Sequence, residues 1–135
     1  IWLPVVAGRN RADVDEALAS PIIRSSGLLA SDEFYAQHGA QHPLGAGFTG
    51  AQDYLPQEMD ERTALDRTGE VPLGVVRDIG LCGTPDEIID RAAQWRDAGV
   101  RHIVLVNYGP MQRSMRKGLA SSLPFTQVVR RLKKL

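Results

Sequence analysis

Residues 84–106 constrain the fold of this chain more than any other stretch. Thr84-Pro85-Asp86-Glu87 has the form of a capping box, with Thr at the N-cap, Glu three residues on and Pro at the first helical position. Ile88, Ala92 and Trp95, flanked by Ile89 and Ala93, fall on one face of the helix that follows. Gly99 then predicts a left-handed helix end. Val100 to Val106 (VRHIVLV) reads as a continuous apolar strand. Near-continuous hydrophobicity predicts burial on both faces, as in a parallel sheet. Helix, glycine and buried strand in that order form the αβ half of a βαβ unit, which makes the chain α/β.

The remaining segments fit that class. Ile1–Ala7 reads as a short buried strand that Pro4 weakens. A helix opens at Asn10 or Arg11, with its acids in the first turn, where the dipole favours them. Ser20 as the cap and Pro21 at the first helical position restart a helix whose apolar side is Ile22, Ile23, Leu28 and Leu29. Ser31 with Asp32 and Glu33 starts a third, which ends at His38–Gly39. His38 to Pro56 holds too much Gly and Pro for long regular elements. Gln57 to Thr68 predicts a polar helix with Met59, Ala64 and Leu65 inward, closed by Gly69. Val71–Ile79 suits a helix or a strand equally. A helix near Met111–Leu119 precedes a last one from Pro124, where Phe125, Val128, Val129, Leu132 and Leu135 keep helical spacing.

Composition excludes several classes. With 43% hydrophobic and 24% charged residues, the chain is neither disordered nor collagen-like. One cysteine, Cys82, cannot form an internal disulfide. No apolar run approaches the ~20 residues of a membrane span, and no export signal is visible. A cytoplasmic location is therefore expected. The chain has 135 residues, the size of one domain. Its start at Ile1, inside an apolar run, reads as the interior of a longer protein. The net charge is zero, but eight of the sixteen basic residues and none of the sixteen acids follow Asp97. Such asymmetry points to an anionic partner or to an acidic–basic interface within the fold. A solvated face of an outer helix is the simpler reading, because the tail lacks interleaved aromatics and any recognition-helix motif. No nucleic-acid partner is expected.

Candidate chemistry is sparse. Gly45-Ala46-Gly47-Phe48-Thr49-Gly50 matches G-x-G-x-x-G, but His42-Pro43-Leu44 precedes it, not a strand, so a surface loop is the better reading. His38 and His42 lie four apart, yet Gly39 and Pro43 break any helix that would aim both at one metal. As loop residues they are read as solvated, with contact to a substrate the alternative. His102 within the strand reads as packing. Asn107 ends that strand, and ligands of α/β proteins bind beyond C-terminal strand ends. Asn107 and Tyr108 are therefore candidates to line a site, although Asn107 is equally a good turn residue. Cys82 has no neighbouring His in sequence, and no Ser-His-Asp arrangement can be argued.

The run LCGTPDEIIDRAAQWRDAGVRHIVLVN (81–107) resembles the final αβ unit of luciferase-like flavin- or deazaflavin-dependent oxidoreductases. GRNRADVDEALASPIIRSSGLL, HGAQHPLGAGFTGAQDYLPQ and MRKGLASSLPFTQVVRRLKKL extend the likeness over essentially the whole chain, to mycobacterial ketoreductases of the phthiodiolone type. The resemblance implies the C-terminal part of a (β/α)8 TIM barrel, incomplete here because such a barrel takes ~250 residues. Residues 1–7 would be about the sixth strand, residues 8–81 helices and an insertion loop, and residues 82–135 the last αβ unit and closing helices. Val100–Val106 would be the eighth strand. It further implies hydride transfer from reduced coenzyme F-420, a deazaflavin, to a keto group of a small molecule or lipid. Flavin mononucleotide in a monooxygenase is the alternative coenzyme. A homodimer of the whole protein is consistent with the family, and the isolated chain is expected to be inactive. The resemblance carries over no cofactor ligand, no metal ligand and no catalytic residue. His38, His42 and Asn107 are the residues expected near the substrate opening. A non-catalytic module using the basic tail remains a separate reading.

Overall fold

A computed structural model describes residues 2–135, so of the first strand only Ile1 lies outside the described residues. Strand β1 (Trp2–Ala7) is followed by α1 (Arg11–Leu18), α2 (Pro21–Arg24) and α3 (Asp32–Gln37). A largely irregular segment with two short 3-10 turns leads to α4 (Glu61–Glu70) and α5 (Leu73–Ile79). Then come β2 (Leu81–Gly83), α6 (Pro85–Asp97), β3 (Val104–Asn107), α7 (Met115–Ala120) and α8 (Ser122–Leu132).

The three strands form one parallel sheet in the order β2-β1-β3. Central β1 is buried on both faces. Leu3, Val5 and Ala7 pack with Leu81, Ile88 and Val128, under α6 and α8. Val6 points the other way, into a core of Val14, Leu18, Ile23, Leu28, Tyr35, Val71, Val75 and Val76. The period of two expected of a strand thus feeds two cores. Pro4 is tolerated in this central strand because β2 pairs only from Val5 onward. Beside Pro4 stands Gly80, whose missing side chain lets the chains approach.

Local signals hold well. Asn10 caps α1 by accepting from the Asp13 N–H at 2.9 Å, and Ser31 caps α3 through the Phe34 N–H at 3.2 Å. Thr84 and Glu87 form the reciprocal capping box, and Gly99 has φ 99°. Residues 73–79, open between helix and strand, are helical.

Several expectations need correction. The strand expected over Val100–Val106 covers only Val104–Asn107, and His102 precedes it. It is not buried on both faces, because β3 is an edge strand paired only with β1, and Val104 is 43% exposed. In α4, Leu65 is 53% exposed and Thr68 is the buried residue, while Gly69 lies inside the helix and does not end it. Ser20 makes no side-chain cap, and Ile22 is exposed while Ile23 and Leu28 are buried. The described strands form one three-stranded parallel sheet, a partial α/β fold. A sixth and an eighth barrel strand would be separated by the seventh, whereas β1 and β3 are direct neighbours and β2 lies on the far side of β1. Among the described residues, no helix is long and apolar enough to cross a membrane.

Candidate functional site at the strand ends

All three strands point the same way, so their C-terminal ends share one edge of the sheet. Gly8 follows β1 and donates its N–H to the Gly83 carbonyl at 3.1 Å. A Cβ on Gly8 would stand 2.7 Å from Val14 Cγ2 and 3.0 Å from the Val14 nitrogen, so the turn into α1 requires glycine. Arg9 follows and pairs with Asp13 at 2.8 Å. Behind β3, Asn107 Oδ1 accepts the Gly109 N–H at 3.0 Å, and the Tyr108 N–H donates to the Val5 carbonyl at 2.9 Å. Gln112 donates its side-chain N–H to the Gly109 carbonyl at 2.9 Å. The chain then turns into α7, whose Lys117 pairs with Glu16 of α1.

These elements enclose a polar cleft of about 60 Å³ lined by Gly8, Arg9, Asp13, Gln112 and Lys117. It has room for a few water molecules. Small-molecule pockets run ~300–1,000 Å³, so the cleft does not fit a deazaflavin or flavin ring system. No residue of this chain is assigned to such a coenzyme. Arg9 and Lys117 each face a carboxylate, so the cleft offers paired charges, and no His or Cys lines it. It can hydrogen-bond a small polar group, but it contains no poised acid–base pair.

Of the three residues expected near a substrate, only Asn107 lies at this edge, and its amide oxygen is committed to the turn. His38 is tied elsewhere. Its Nδ1 meets the Phe34 carbonyl at 2.9 Å and its Nε2 meets Asp78 Oδ2 at 3.0 Å, in the last turn of α5 before β2 begins. Both nitrogens face acceptors, so the imidazolium is favoured. The hydrogen bond to Phe34 raises the His38 pKa most, followed by that to Asp78. Asp78 also takes Arg91 Nη1 at 3.1 Å. Burial works to raise its pKa, but the His38 hydrogen bond and the Arg91 charge outweigh it, and the carboxyl is held below its usual range.

His42 is not a solvated loop residue. It is 6% exposed, stacked on Phe48 at 4.2 Å between ring centroids and set edge-on to Tyr35 at 4.6 Å. Its Nδ1 accepts the Leu44 N–H at 3.1 Å, so the neutral ring carries its proton on Nε2. That Nε2 faces the carbonyls of Leu28 and Ala30 without reaching hydrogen-bonding geometry with either. Burial lowers the His42 pKa and favours the neutral ring. No hydrogen bond, ion pair or ring contact joins His38 or His42 to Asn107 among the described residues. Nor do the described residues contain a group of three or more His, Cys, Asp or Glu suited to a metal ion. Gly45, Gly47 and Gly50 all have positive φ in a loop preceded by no strand, so they lack the dinucleotide context.

The sequence reading missed Arg9, Gln112 and Lys117. Arg9 was findable, since it comes directly after the C-terminal end of a strand. Gln112 and Lys117 arrive through the turn after β3, which only the tertiary structure places.

The chain is 56% identical over 131 residues to a phthiodiolone/phenolphthiodiolone dimycocerosates ketoreductase of Mycobacterium sp. (strain JLS), covering 97% of this chain and 34% of the relative. It is 44% identical over 131 residues to the ketoreductases of the same name from Mycobacterium bovis (strain BCG / Pasteur 1173P2) and Mycobacterium kansasii, again over 97% of this chain. This chain resembles the C-terminal part of those ketoreductases. It spans about a third of the length of the curated relatives it matches, 34% to 36%. No family model matches, and no solved structure matches. The match to the ketoreductases takes in 131 of the 135 residues, whereas the three strands alone carry no such information.

Proposed function

We propose that the chain is the C-terminal part of a luciferase-like ketoreductase that reduces a keto group of a phthiodiolone-type lipid to an alcohol. The observation that carries this reading is the 56% identity over nearly the whole chain to a relative named as such a ketoreductase. Reduced coenzyme F-420 is the proposed hydride donor of the whole protein. The coenzyme supplies the hydride when bound, and the protein around it supplies orientation and exclusion of water.

This chain's own contribution is then structural and local. Gly8, Asn107 and Gly109 hold the strand ends in tight turns, and Arg9, Gln112 and Lys117 offer hydrogen bonds at the edge where α/β proteins bind ligands. Neither His38 nor His42 serves as a proton carrier in this reading, since one is doubly engaged and the other is buried in an aromatic stack.

The test uses the longest protein that contains this chain. Fluorescence titration should show binding of the reduced deazaflavin, and addition of a keto lipid should oxidise it with formation of the alcohol. Oxygen consumption with flavin mononucleotide in place of the deazaflavin would turn the reading to a monooxygenase. Absence of coenzyme binding would overturn it.

A further inference from the structure

Residues 39–50 return from α3 across the core that receives Val6, where Ala40 and Leu44 pack against it and Phe48 is buried. His42 fastens them from inside. Phe48 stacks on its ring and Tyr35 of α3 meets the ring edge, with centroids 4.2 Å and 4.6 Å away. The Leu44 N–H donates to its Nδ1 at 3.1 Å, and the Gly45 N–H donates to its carbonyl at 3.0 Å. A second attachment is Asp32 of α3. Its N–H donates to the Phe48 carbonyl at 2.8 Å, and its carboxylate accepts the Gly47 N–H at 2.5 Å. Gly39 and Gly50 bound the segment at φ 66° and 125°, so each end sits at a residue free to change its backbone angles.

This enclosure suits a neutral ring and not a charged one. Protonation puts a hydrogen on Nδ1, facing the Leu44 N–H, so one hydrogen bond becomes two opposed donors. On the other side Nε2 faces the carbonyls of Leu28 and Ala30 but bonds neither, so the added charge is not met there. Two ionisable groups of α3 face the ring or touch it. The Asp32 charge favours the imidazolium, but burial outweighs it. Tyr35 is neutral: its hydroxyl donates to the Gly27 carbonyl at 3.1 Å, and burial pushes its pKa up to about 12. Arg24, the cation near Tyr35, is bound to the carbonyls of Val71 and Gly69. His38, at the end of α3, is turned to Phe34 and Asp78. Residues 28–30 and 43–50 hold no charged side chain.

We propose that His42 is an acid-triggered latch: on protonation its ring leaves the Phe48–Tyr35 stack, and residues 39–50 swing out about Gly39 and Gly50 while the sheet and its helices stay folded. The release is local because Val6, Val14, Leu18, Ile23 and Leu28 pack together from β1, α1, α2 and the turn after it. Burial holds the closed ring below its ordinary value of 6.5. The latch is therefore fully closed above pH ~6.5 and weakens as pH falls, because the open ring binds the proton more tightly. The latch rests on this geometry alone and goes beyond the ketoreductase reading, which stands or falls without it.

The test is amide hydrogen exchange by NMR, corrected for the intrinsic rate at each pH, on the longest protein that contains this chain. Opening at Leu44, Gly45 and Gly47 should rise up to tenfold per pH unit below ~6.5, since one proton is taken up on opening. The rise should level off where the closed ring itself titrates. The Phe48 ring signals should move with it, while the amides of Val5 and Val6 in β1 keep their protection. His42→Phe keeps an aromatic ring that cannot be charged, and His42→Asn keeps an acceptor for the Leu44 N–H. Opening should lose its pH dependence in both, whatever its level, whereas His38→Gln should retain the rise. Three results would overturn the latch. One is a His42 ring that titrates while Leu44, Gly45 and Gly47 stay protected. Another is an acid rise that persists in both His42 variants. The third is loss of protection at Val5 and Val6 in step with the loop, which is unfolding of the whole core and not release of a segment.

Discussion

Gly80→Ala tests how β1 and β2 are held together. Gly80 has extended backbone, φ −133° and ψ −167°, which alanine adopts without penalty, so the objection to a side chain is space alone. A Cβ there would stand 2.3 Å from the Pro4 carbonyl oxygen and 2.8 Å from Pro4 Cγ. Carbon ordinarily approaches a carbonyl oxygen no closer than ~3.3 Å, so the strands must part by about 1 Å at this point. The obstructing oxygen belongs to the main chain, and no rotamer change relieves it. Overpacking costs ~1–3 kcal/mol. The upper end applies because Val5 and Leu81, next to the clash, are the first pair of the β1–β2 register and both are fully buried. At roughly 4 °C per kcal/mol for a chain of this size, Tm should fall by about 12 °C. Gly74→Ala supplies the opposite sign. It lies in α5, and its Cβ would meet nothing nearer than His38 Cδ2 at 3.7 Å. Relief of backbone entropy should add ~0.5–1 kcal/mol, about 2–4 °C. Thermal unfolding followed by circular dichroism reads both. A Gly80→Ala protein melting within about 2 °C of the parent would refute the close approach of Pro4 and Gly80, because no ~3 kcal/mol penalty could hide in so small a shift.

The two loop histidines should titrate on opposite sides of the ordinary value of 6.5, His38 above and His42 below, as read from their NMR ring signals. The raised His38 pKa contributes stability that is full below pH ~6.5 and is lost as pH rises through its folded value, and His38→Gln should remove that slope. The lowered His42 pKa works the other way: its contribution is full above pH ~6.5 and is lost as pH falls, so His38→Gln protein should be the more acid-sensitive of the two. One shared midpoint would contradict the assignment. Thr84→Ala should lower the urea midpoint by the equivalent of ~1 kcal/mol, through loss of the cap on the Glu87 N–H. An unchanged midpoint would show that the capping box adds nothing to stability. Burial pushes the Cys82 thiol pKa up to about 11. A disulfide reagent at pH 8 should therefore label it slowly in the folded protein and rapidly in urea. Equal rates would show the thiol to be open.

What the sequence revealed of this fold was set by how local each determinant is. The capping box at Thr84, the Asn10 and Ser31 caps and the left-handed Gly99 depend on neighbours within a few residues, and each is where the sequence puts it. Strand β2 has only three residues, too few for any period to show, and it exists because Val5, Val6 and Ala7 offer it an edge. The length of β3 failed for a related reason. VRHIVLV is apolar enough for a buried strand, but burial needs neighbours on both sides, and β3 has one. The site was the least legible. Position at a strand end put Asn107 at the C-terminal edge of the sheet, where its amide oxygen is taken up by the turn. His42 looked like a loop residue because Gly and Pro surround it. Its burial is decided by Phe48 and Tyr35, and an aromatic six residues on in a glycine-rich loop was the available hint of a stacked core.

The charge asymmetry of the sequence has a partial resolution within the fold. Lys117 of α7 pairs with Glu16 of α1, and Arg131 of α8 pairs with Asp86 of α6. Each contact joins the basic last 38 residues to an acid of the first 97. α8 also packs on β1 and α6 through Val128, Phe125 and Leu132, so apolar burial and charge draw the same helix to the same place. The ion pairs are exposed, and exposed pairs contribute little. They act on orientation: a tail that carried acids as well could pair within itself and lose its preference for this face. The basic side chains of α8 then divide by position. Arg131 is turned to Asp86, whereas Arg130 carries no ion pair among the described residues and remains on the solvent side. Salt therefore offers a direct discrimination. If the asymmetry serves the fold, raising ionic strength should shift the melting point only slightly, because Val128 and its apolar neighbours hold α8. If it serves an anionic partner, heparin binding should fall steeply with salt and should depend on Arg130, Lys133 and Lys134 more than on Arg131.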